Sequence, residues 1–239
     1  MGKIALVLGS SGGIGFEICK KLLQTDHTVL AQYYSNKDAI NGLSQFASQQ
    51  GHLVPLKLDL TDGAAVDQVV TNLLQPDMII HAGGQHFEGL FEDTPDHVIE
   101  NLWNVHLYQP ARMIRRLIPG MRHKDGASIV FVSSIWGEAG ASYEVMYSAV
   151  KGAQISFVKA LGKELAPNGI RVNAVAPGAV STTMTAHYDA KVRRDLEGEI
   201  PAGRFARPEE IADAVMFLTG KQSTYINGHV LSVNGGWYS

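Results

Sequence analysis

The apolar run Ile4-Ala-Leu-Val-Leu8 stops at a glycine, and Gly9-Ser-Ser-Gly-Gly-Ile-Gly15 follows it directly. This junction constrains the fold more than any other stretch. An apolar run of this length reads as a buried parallel strand. From Ile14 to Leu23 the apolar positions then recur with helical spacing. Strand, glycine-rich turn and helix in that order make the geometry of a dinucleotide site. Glycine allows the tight turn and close backbone approach, and the helix N-terminus offers free N–H groups to phosphate. The spacing is Gly-x-x-x-Gly-x-Gly rather than Gly-x-Gly-x-x-Gly, so the flanking strand and helix carry the reading.

The same alternation continues along the chain. Strands are expected at Thr28–Tyr34, His52–Leu58, Asp77–Gly84, Ala127–Ser133, Ile170–Val175 and His229–Val233. Helices are expected at Lys37–Gln50, Ala64–Leu74, Pro95–Met121, Glu144–Leu165 and Pro208–Thr219, with a mobile helical lid over Ser181–Glu199. Strands alternating with helices predict one α/β domain over residues 1–239, a Rossmann-like, doubly wound parallel sheet with helices on both faces.

The end of the second strand should meet the adenosine ribose. A carboxylate there would bind both ribose hydroxyls and select NAD. The chain has Tyr33, Tyr34, Ser35, Asn36 and Lys37 instead. None repels a 2′-phosphate, so NADP (NADPH) is the expected cofactor and NAD the alternative. Asp59, ahead of Leu60, is either an acceptor for the adenine amino group or a turn and capping residue. Ala82 and Gly83 end the fourth strand where glycines again let a cofactor approach the backbone.

Chemistry concentrates in residues 134–151. Ser134 follows a strand, Tyr147 comes thirteen residues later, and Lys151 lies one helical turn beyond it on the same face. A free tyrosine has a pKa of about 10, too high for proton exchange near neutrality. A neighbouring ammonium favours the phenolate, and a serine hydroxyl can donate to an oxygen on which charge develops. Such a set exchanges a proton with an alcohol or a carbonyl.

Composition excludes several other classes. Of 239 residues, 45% are apolar and 18% charged, with net charge −3, so there is no basic surplus for nucleic acid. No run of about 18 apolar residues implies a membrane span, and the opening residues lack a signal peptide's core and cleavage site. A single cysteine, Cys19, leaves no intrachain disulfide, which points to the cytoplasm. Nine scattered histidines lack metal-ligand spacing, so no metal is expected.

Over nearly its whole length the chain resembles the short-chain dehydrogenase/reductase family. The resemblance rests on Gly9–Gly15, Asp59-Leu60, His81-Ala-Gly83, Ser134, Tyr147-x-x-x-Lys151, Asn173-Ala-Val-Ala-Pro-Gly178 and Val233-Asn-Gly-Gly236. The tail from Ile200 to Leu218 is most similar to 3-oxoacyl-[acyl-carrier-protein] reductases, and it is shared with alcohol and sugar dehydrogenases of the family. The resemblance implies a homotetramer that reduces a small-molecule or carrier-bound acyl substrate. In it Tyr147 protonates the nascent alkoxide, Ser134 orients the carbonyl, and Lys151 lowers the tyrosine pKa and holds the nicotinamide ribose. Pro177, Gly178, Val180 and Thr182 meet the nicotinamide end of the cofactor. The alternatives are another small-carbonyl or alcohol dehydrogenase of the family, or a cofactor-binding regulator without catalysis. One departure is prominent. Val105-His-Leu-Tyr-Gln-Pro110 resembles the family's Val-Asn-Leu-x-x-Pro and puts His106 where a proton-relay asparagine is expected. A shifted alignment uses Asn101 and loses the proline. His106 is therefore expected to shuttle protons, with activity sensitive to pH near 6–7. Arg115, Arg116, Arg122, His123 and Lys124 form a basic run expected beside the active-site mouth, where an acidic carrier protein would dock or, equally, a solvated helix end would lie. Trp136, Tyr143, His187 and Tyr188 are candidates for the substrate pocket.

Overall fold

A computed structural model describes residues 2–49 and 51–238. Met1, Gln50 and Ser239, which the expected domain and second helix include, lie outside the described residues. Among the described residues there are seven strands: β1 (Ile4–Leu8), β2 (Thr28–Tyr33), β3 (His52–Lys57), β4 (Met78–His81), β5 (Ser128–Val132), β6 (Arg171–Pro177) and β7 (Val230–Val233). They form one parallel sheet in the order β3-β2-β1-β4-β5-β6-β7, with Ala5 of β1 opposite Val29 on one side and Met78 on the other. The Rossmann-like doubly wound sheet expected from the sequence is thus observed.

The helices are α1 (Gly13–Gln24), α2 (Lys37–Leu43), α3 (Gly63–Asn72), α4 (Asp96–Trp103), α5 (Gln109–Met121), α6 (Ile135–Ala139), α7 (Val145–Leu165), α8 (Ala190–Glu199) and α9 (Pro208–Thr219). Successive side chains of a strand point to opposite faces, and the core divides accordingly. Ala5, Val7, Val29 and Ile80 pack beneath α1, α2 and α9 through Ile18, Leu22, Leu43 and Val215. Leu6, Leu8, Ile79 and Phe131 pack beneath α3, α5 and α7 through Val66, Met113, Leu117 and Val158. Burying each large side chain contributes about 1.5–3 kcal/mol, so the two apolar layers hold the sheet between its helices. Pro55 sits in β3, an edge strand paired only to β2, where its missing N–H costs least.

Three elements differ from expectation for physical reasons. The long helix 95–121 is broken by a π turn at Asn104–Tyr108. Pro110 has no N–H to return to the carbonyl of His106 four residues earlier, so the regular ladder cannot run through. The second helix stops at Leu43 and passes into a 3₁₀ turn, Ser44–Phe46. The 181–199 lid is a 3₁₀ turn at Thr183–Thr185 followed by α8, whose Asp189 caps it by accepting from Lys191 N and Val192 N at 2.8 Å. The short helix α6 between β5 and α7 was not anticipated.

The order of strands reverses at β1 and β4, and their ends diverge into a cleft, as open parallel sheets do at such a switch point. Gly9 makes the turn out of β1 with φ +83°, and a Cβ there would overlap the backbone of Gly83 after β4. We expect Gly9→Ala to lower stability by about 2–4 kcal/mol, combining left-handed strain and overpacking. Thermal unfolding of the purified variant measures this; a melting temperature equal to the parent's would refute it.

Candidate active site

The cleft opens over the carboxyl ends of the strands as a cavity of about 570 Å³. One end is lined by Gly9, Ser11, Gly13 and Ile14 from the first turn, with Tyr33, Asn36, Asp59 and Leu60 beyond them. The other end is lined by Ser134, Tyr147, Lys151 and His106, with Ala82, Gly83, Pro177, Gly178, Val180 and Thr182 between. Two expected cofactor residues are not on this wall. Gly15 lies beneath the loop, where a Cβ would strike the Gly9 carbonyl, so it serves close helix–turn packing. Ser35 is exposed, outside the cavity.

The glycine turn fits a phosphate group by construction. α1 starts at Gly13 without a side-chain cap on Gly12, leaving its first N–H groups free toward the cavity. A Cβ at Gly13 would come 2.9 Å from the Thr182 methyl, so a larger residue there would have to displace that side chain. Gln32 fixes the turn from below: it accepts from Gly9 N at 2.7 Å and donates to Leu58 O at 2.7 Å. Asp59 Oδ1 accepts from Thr61 N and Thr61 Oγ1, both at 2.8 Å, which makes it a turn residue while it also faces the cavity.

At the other end Ser134 caps α6, its Oγ accepting from Trp136 N at 3.1 Å. Tyr147 and Lys151 lie one turn apart on α7, both buried. Lys151 Nζ donates to Val132 O at 2.9 Å and lies 5.4 Å from the centre of the Tyr147 ring. Burial raises the Tyr147 pKa and the Glu144 carboxylate raises it further; only Ser134 opposes them. The expected lowering by Lys151 is not seen: Lys151 is not among the influences on the Tyr147 pKa, and burial brings its own pKa down to about 7. Tyr147 is therefore held as the neutral phenol at physiological pH.

His106 is on the cavity wall, as the alignment on Pro110 requires, whereas Asn101 is not. Its titration near pH 6–7 is not supported. The residue is fully buried, and burial and the Lys151 charge hold its pKa well below 6.5. Nε2 lies 2.8 Å from Gln85 O and 3.1 Å from Gln85 N, and the shorter contact assigns Nε2–H as donor. A neutral imidazole clasped in this way holds the 84–86 loop. The His106 carbonyl, orphaned by Pro110, accepts from Gln154 Nε2 at 2.7 Å and lies 3.1 Å from His81 Nε2. Burial holds His81 down to about 3.

Trp136 and Tyr188 line the cavity, and Tyr143 and His187 do not. The basic run is elsewhere than expected. Lys124 lies 3.8 Å from Asp77, just before β4, so it is at the amino ends of the strands, opposite the cleft. Arg116 and Arg112 are each paired to Asp67 of α3 at 2.7 Å. His86 and Glu144 escaped the sequence reading. Glu144 stands three residues before Tyr147, a detectable spacing on a helical face; His86 sits in a loop that only the fold brings to the site.

A doubly wound sheet with a glycine-lined cleft over its carboxyl ends defines a dinucleotide-binding protein. Residues 9–238 match the family described as enoyl-(acyl carrier protein) reductase. Among relatives, an uncharacterized oxidoreductase of Bacillus subtilis, YmfI, is 46% identical over 100% of both chains. The 3-oxoacyl-[acyl-carrier-protein] reductase FabG of Vibrio harveyi is 33% identical, covering 99% of this chain and 98% of its own. A blue fluorescent protein from a metagenomic library, solved with NADPH, superposes with TM-score 0.92 at 26% identity over 100% of this chain and 98% of its own. The chain belongs to the short-chain dehydrogenase/reductase family of oxidoreductases. No helix among the described residues is long and apolar enough to cross a membrane.

The histidines of the site should behave differently in solution. His86 accepts charge readily because Glu144 hydrogen-bonds it and raises its pKa. Between about pH 8 and 5, imidazole NMR signals of His81 and His106 should stay at their neutral positions while His86 titrates with a midpoint above 6.5. Titration of His106 in that range would overturn its assignment as a clasp.

Proposed function

We propose that this oxidoreductase reduces a 3-oxoacyl thioester, carried on acyl carrier protein, to the 3-hydroxyacyl thioester with NADPH. The observation that carries the reading is the neutral, buried Tyr147 beside Ser134, at the end of a cleft whose other end is a glycine phosphate cradle. The 33% identity to a 3-oxoacyl-[acyl-carrier-protein] reductase supports the substrate class.

Gly9, Ser11, Gly13 and Ile14 hold the cofactor's diphosphate, Asp59 and Leu60 its adenine, and Tyr33 and Asn36 its adenosine ribose. Ala82, Gly83, Pro177, Gly178, Val180 and Thr182 flank the nicotinamide half. Asp38, the nearest acid after β2, is not on the cavity wall, so nothing there repels a 2′-phosphate. The dinucleotide, when bound, supplies the hydride. Ser134 Oγ donates to the substrate carbonyl oxygen and fixes its position. Tyr147 O–H then gives its proton to that oxygen as negative charge develops there, and the Lys151 ammonium under the ring stabilises the phenolate left behind. A raised tyrosine pKa suits this direction, because the donor form dominates at neutral pH.

The chain acts in the cytoplasm as a homotetramer in this reading. Trp103 and Tyr108 expose apolar surface along α4 and the π turn, as does Phe217 on α9, and β7 leaves one edge unpaired.

The reading is tested by following NADPH and NADH oxidation in parallel with acetoacetyl thioester. NADPH should be consumed much faster than NADH; no turnover with cofactor bound would overturn the substrate class. Tyr147→Phe should lower kcat by about 10²–10⁴ while NADPH affinity, read by fluorescence titration, is retained. Equal losses of affinity and rate would remove Tyr147 from the proton-donor role.

A further inference from the structure

Glu144 and His86 face the cavity without a role in the proposal above. Glu144 precedes α7 at a position where a side chain ordinarily caps the helix, yet it caps nothing. Its Oε2 instead accepts from His86 Nε2 at 2.7 Å, with both side chains largely buried. The backbone is bent to allow this. Tyr143, one residue earlier, is left-handed at φ +66°, a conformation that costs a bulky residue about 1–3 kcal/mol and needs compensation from its surroundings. Its carbonyl accepts from Gly89 N at 2.8 Å, which ties the loop after β4 to the start of α7. His106 holds the same loop from the other side through Gln85. His86 is thus fixed between two anchored points.

The His86 ring stands edge-on to Tyr147, with centroids 5.2 Å apart and planes at 86°. Nε2 is committed to Glu144, and Nδ1 makes no hydrogen bond among the described residues. A carboxylate that orients an imidazole through one nitrogen leaves the other to act on a ligand. The charged surroundings favour a protonated ring. Glu144 raises the His86 pKa, and Glu88 Oε1, 3.7 Å from Nε2, adds to it. Glu88 is shared with the lid, accepting from Tyr188 Oη at 3.0 Å and lying 3.9 Å from His187. Lys151 and His106 are the titratable groups packed against Tyr147 besides this pair.

We propose that His86, oriented by Glu144, reads a second oxygen of the substrate. While Ser134 and Tyr147 engage the reacting carbonyl, His86 Nδ1–H donates to the carbonyl that lies beyond the intervening carbon. The site is then specific for 1,3-dicarbonyl compounds, a 3-oxoacyl thioester being one, over simple ketones. This rests on the reductase reading of Tyr147 and Ser134.

The test compares two probes that differ only in that oxygen: acetoacetyl-N-acetylcysteamine thioester and the thioether ketone S-(3-oxobutyl)-N-acetylcysteamine. In the parent enzyme kcat/KM should favour the thioester. In His86→Phe the thioester-to-ketone ratio should fall about tenfold or more, as removal of a site's donor to a substrate oxygen does. His86→Gln, which keeps a donor, should recover part of the ratio. Glu144 acts through His86, so Glu144→Gln should move the alkaline limb of the thioester pH profile to lower pH, since it no longer holds the imidazole proton. An unchanged ratio in His86→Phe, or an unmoved limb in Glu144→Gln, overturns the inference and makes the pair a packing contact. If the parent reduces neither probe, the reductase reading itself falls, and this inference with it.

Discussion

The cleft exists because two glycine backbones can lie against each other where β1 and β4 part. Gly9 turns out of β1 in a left-handed conformation that side chains avoid, and any Cβ on it would overlap Gly83. That contact sets the direction in which α1 leaves the sheet, and so aims the free N–H groups of its first turn. Gln32 secures it through a buried amide that satisfies both Gly9 N and Leu58 O. A buried amide left unpaired would cost about 1–3 kcal/mol, so the turn and the end of β3 are coupled. Cofactor geometry is thus a consequence of backbone packing, established before any side chain at the reacting end is considered.

At the reacting end electrostatics favours one protonation pattern. Tyr147 is pushed up by burial and by Glu144, Lys151 is pushed down by burial, and His81 and His106 are kept neutral. Only His86 is drawn toward its charged form. Tyr147, His81 and His106 therefore keep one protonation state near neutrality, whereas Lys151, brought down to about 7, and His86 exchange protons there. For carbonyl reduction this leaves a phenol ready to donate and a positive group beneath it to receive the charge that remains.

Much of this was legible in the sequence because it depends on local order. β1, the glycine turn and α1 are consecutive, and Tyr147 and Lys151 are one helical turn apart. The start of α9 at Pro208 follows directly from Pro-Glu-Glu. What was not legible depends on contacts across the chain. His86 reaches Glu144 over 58 residues, and Arg112 and Arg116 share the carboxylate of Asp67 on another helix. Gln32 could have been suspected: an amide inside the apolar strand Thr28-Val-Leu-Ala-Gln-Tyr33 must find partners on burial. The basic run was misplaced because sequence shows that α5 ends in cations without showing which end of the sheet it reaches.

The substitution at His106 is best understood from Pro110. Without an N–H at that position, the His106 carbonyl loses its helical donor whatever side chain residue 106 carries, and a buried carbonyl must be paired. The π turn presents it to Gln154 Nε2 and His81 Nε2, which close the space around it. The imidazole is thereby turned toward the 84–86 loop, where Gly84 leaves room for it: a Cβ there would come within 2.5 Å of the ring. His106, His81, Gln154 and Gly84 form one interdependent set, so a side chain of another shape at 106 would need matching changes at the other three. The stiffness of that set is what lets a surface loop hold His86 against Tyr147, and it links a missing proton in the middle of a helix to the shape of the substrate pocket.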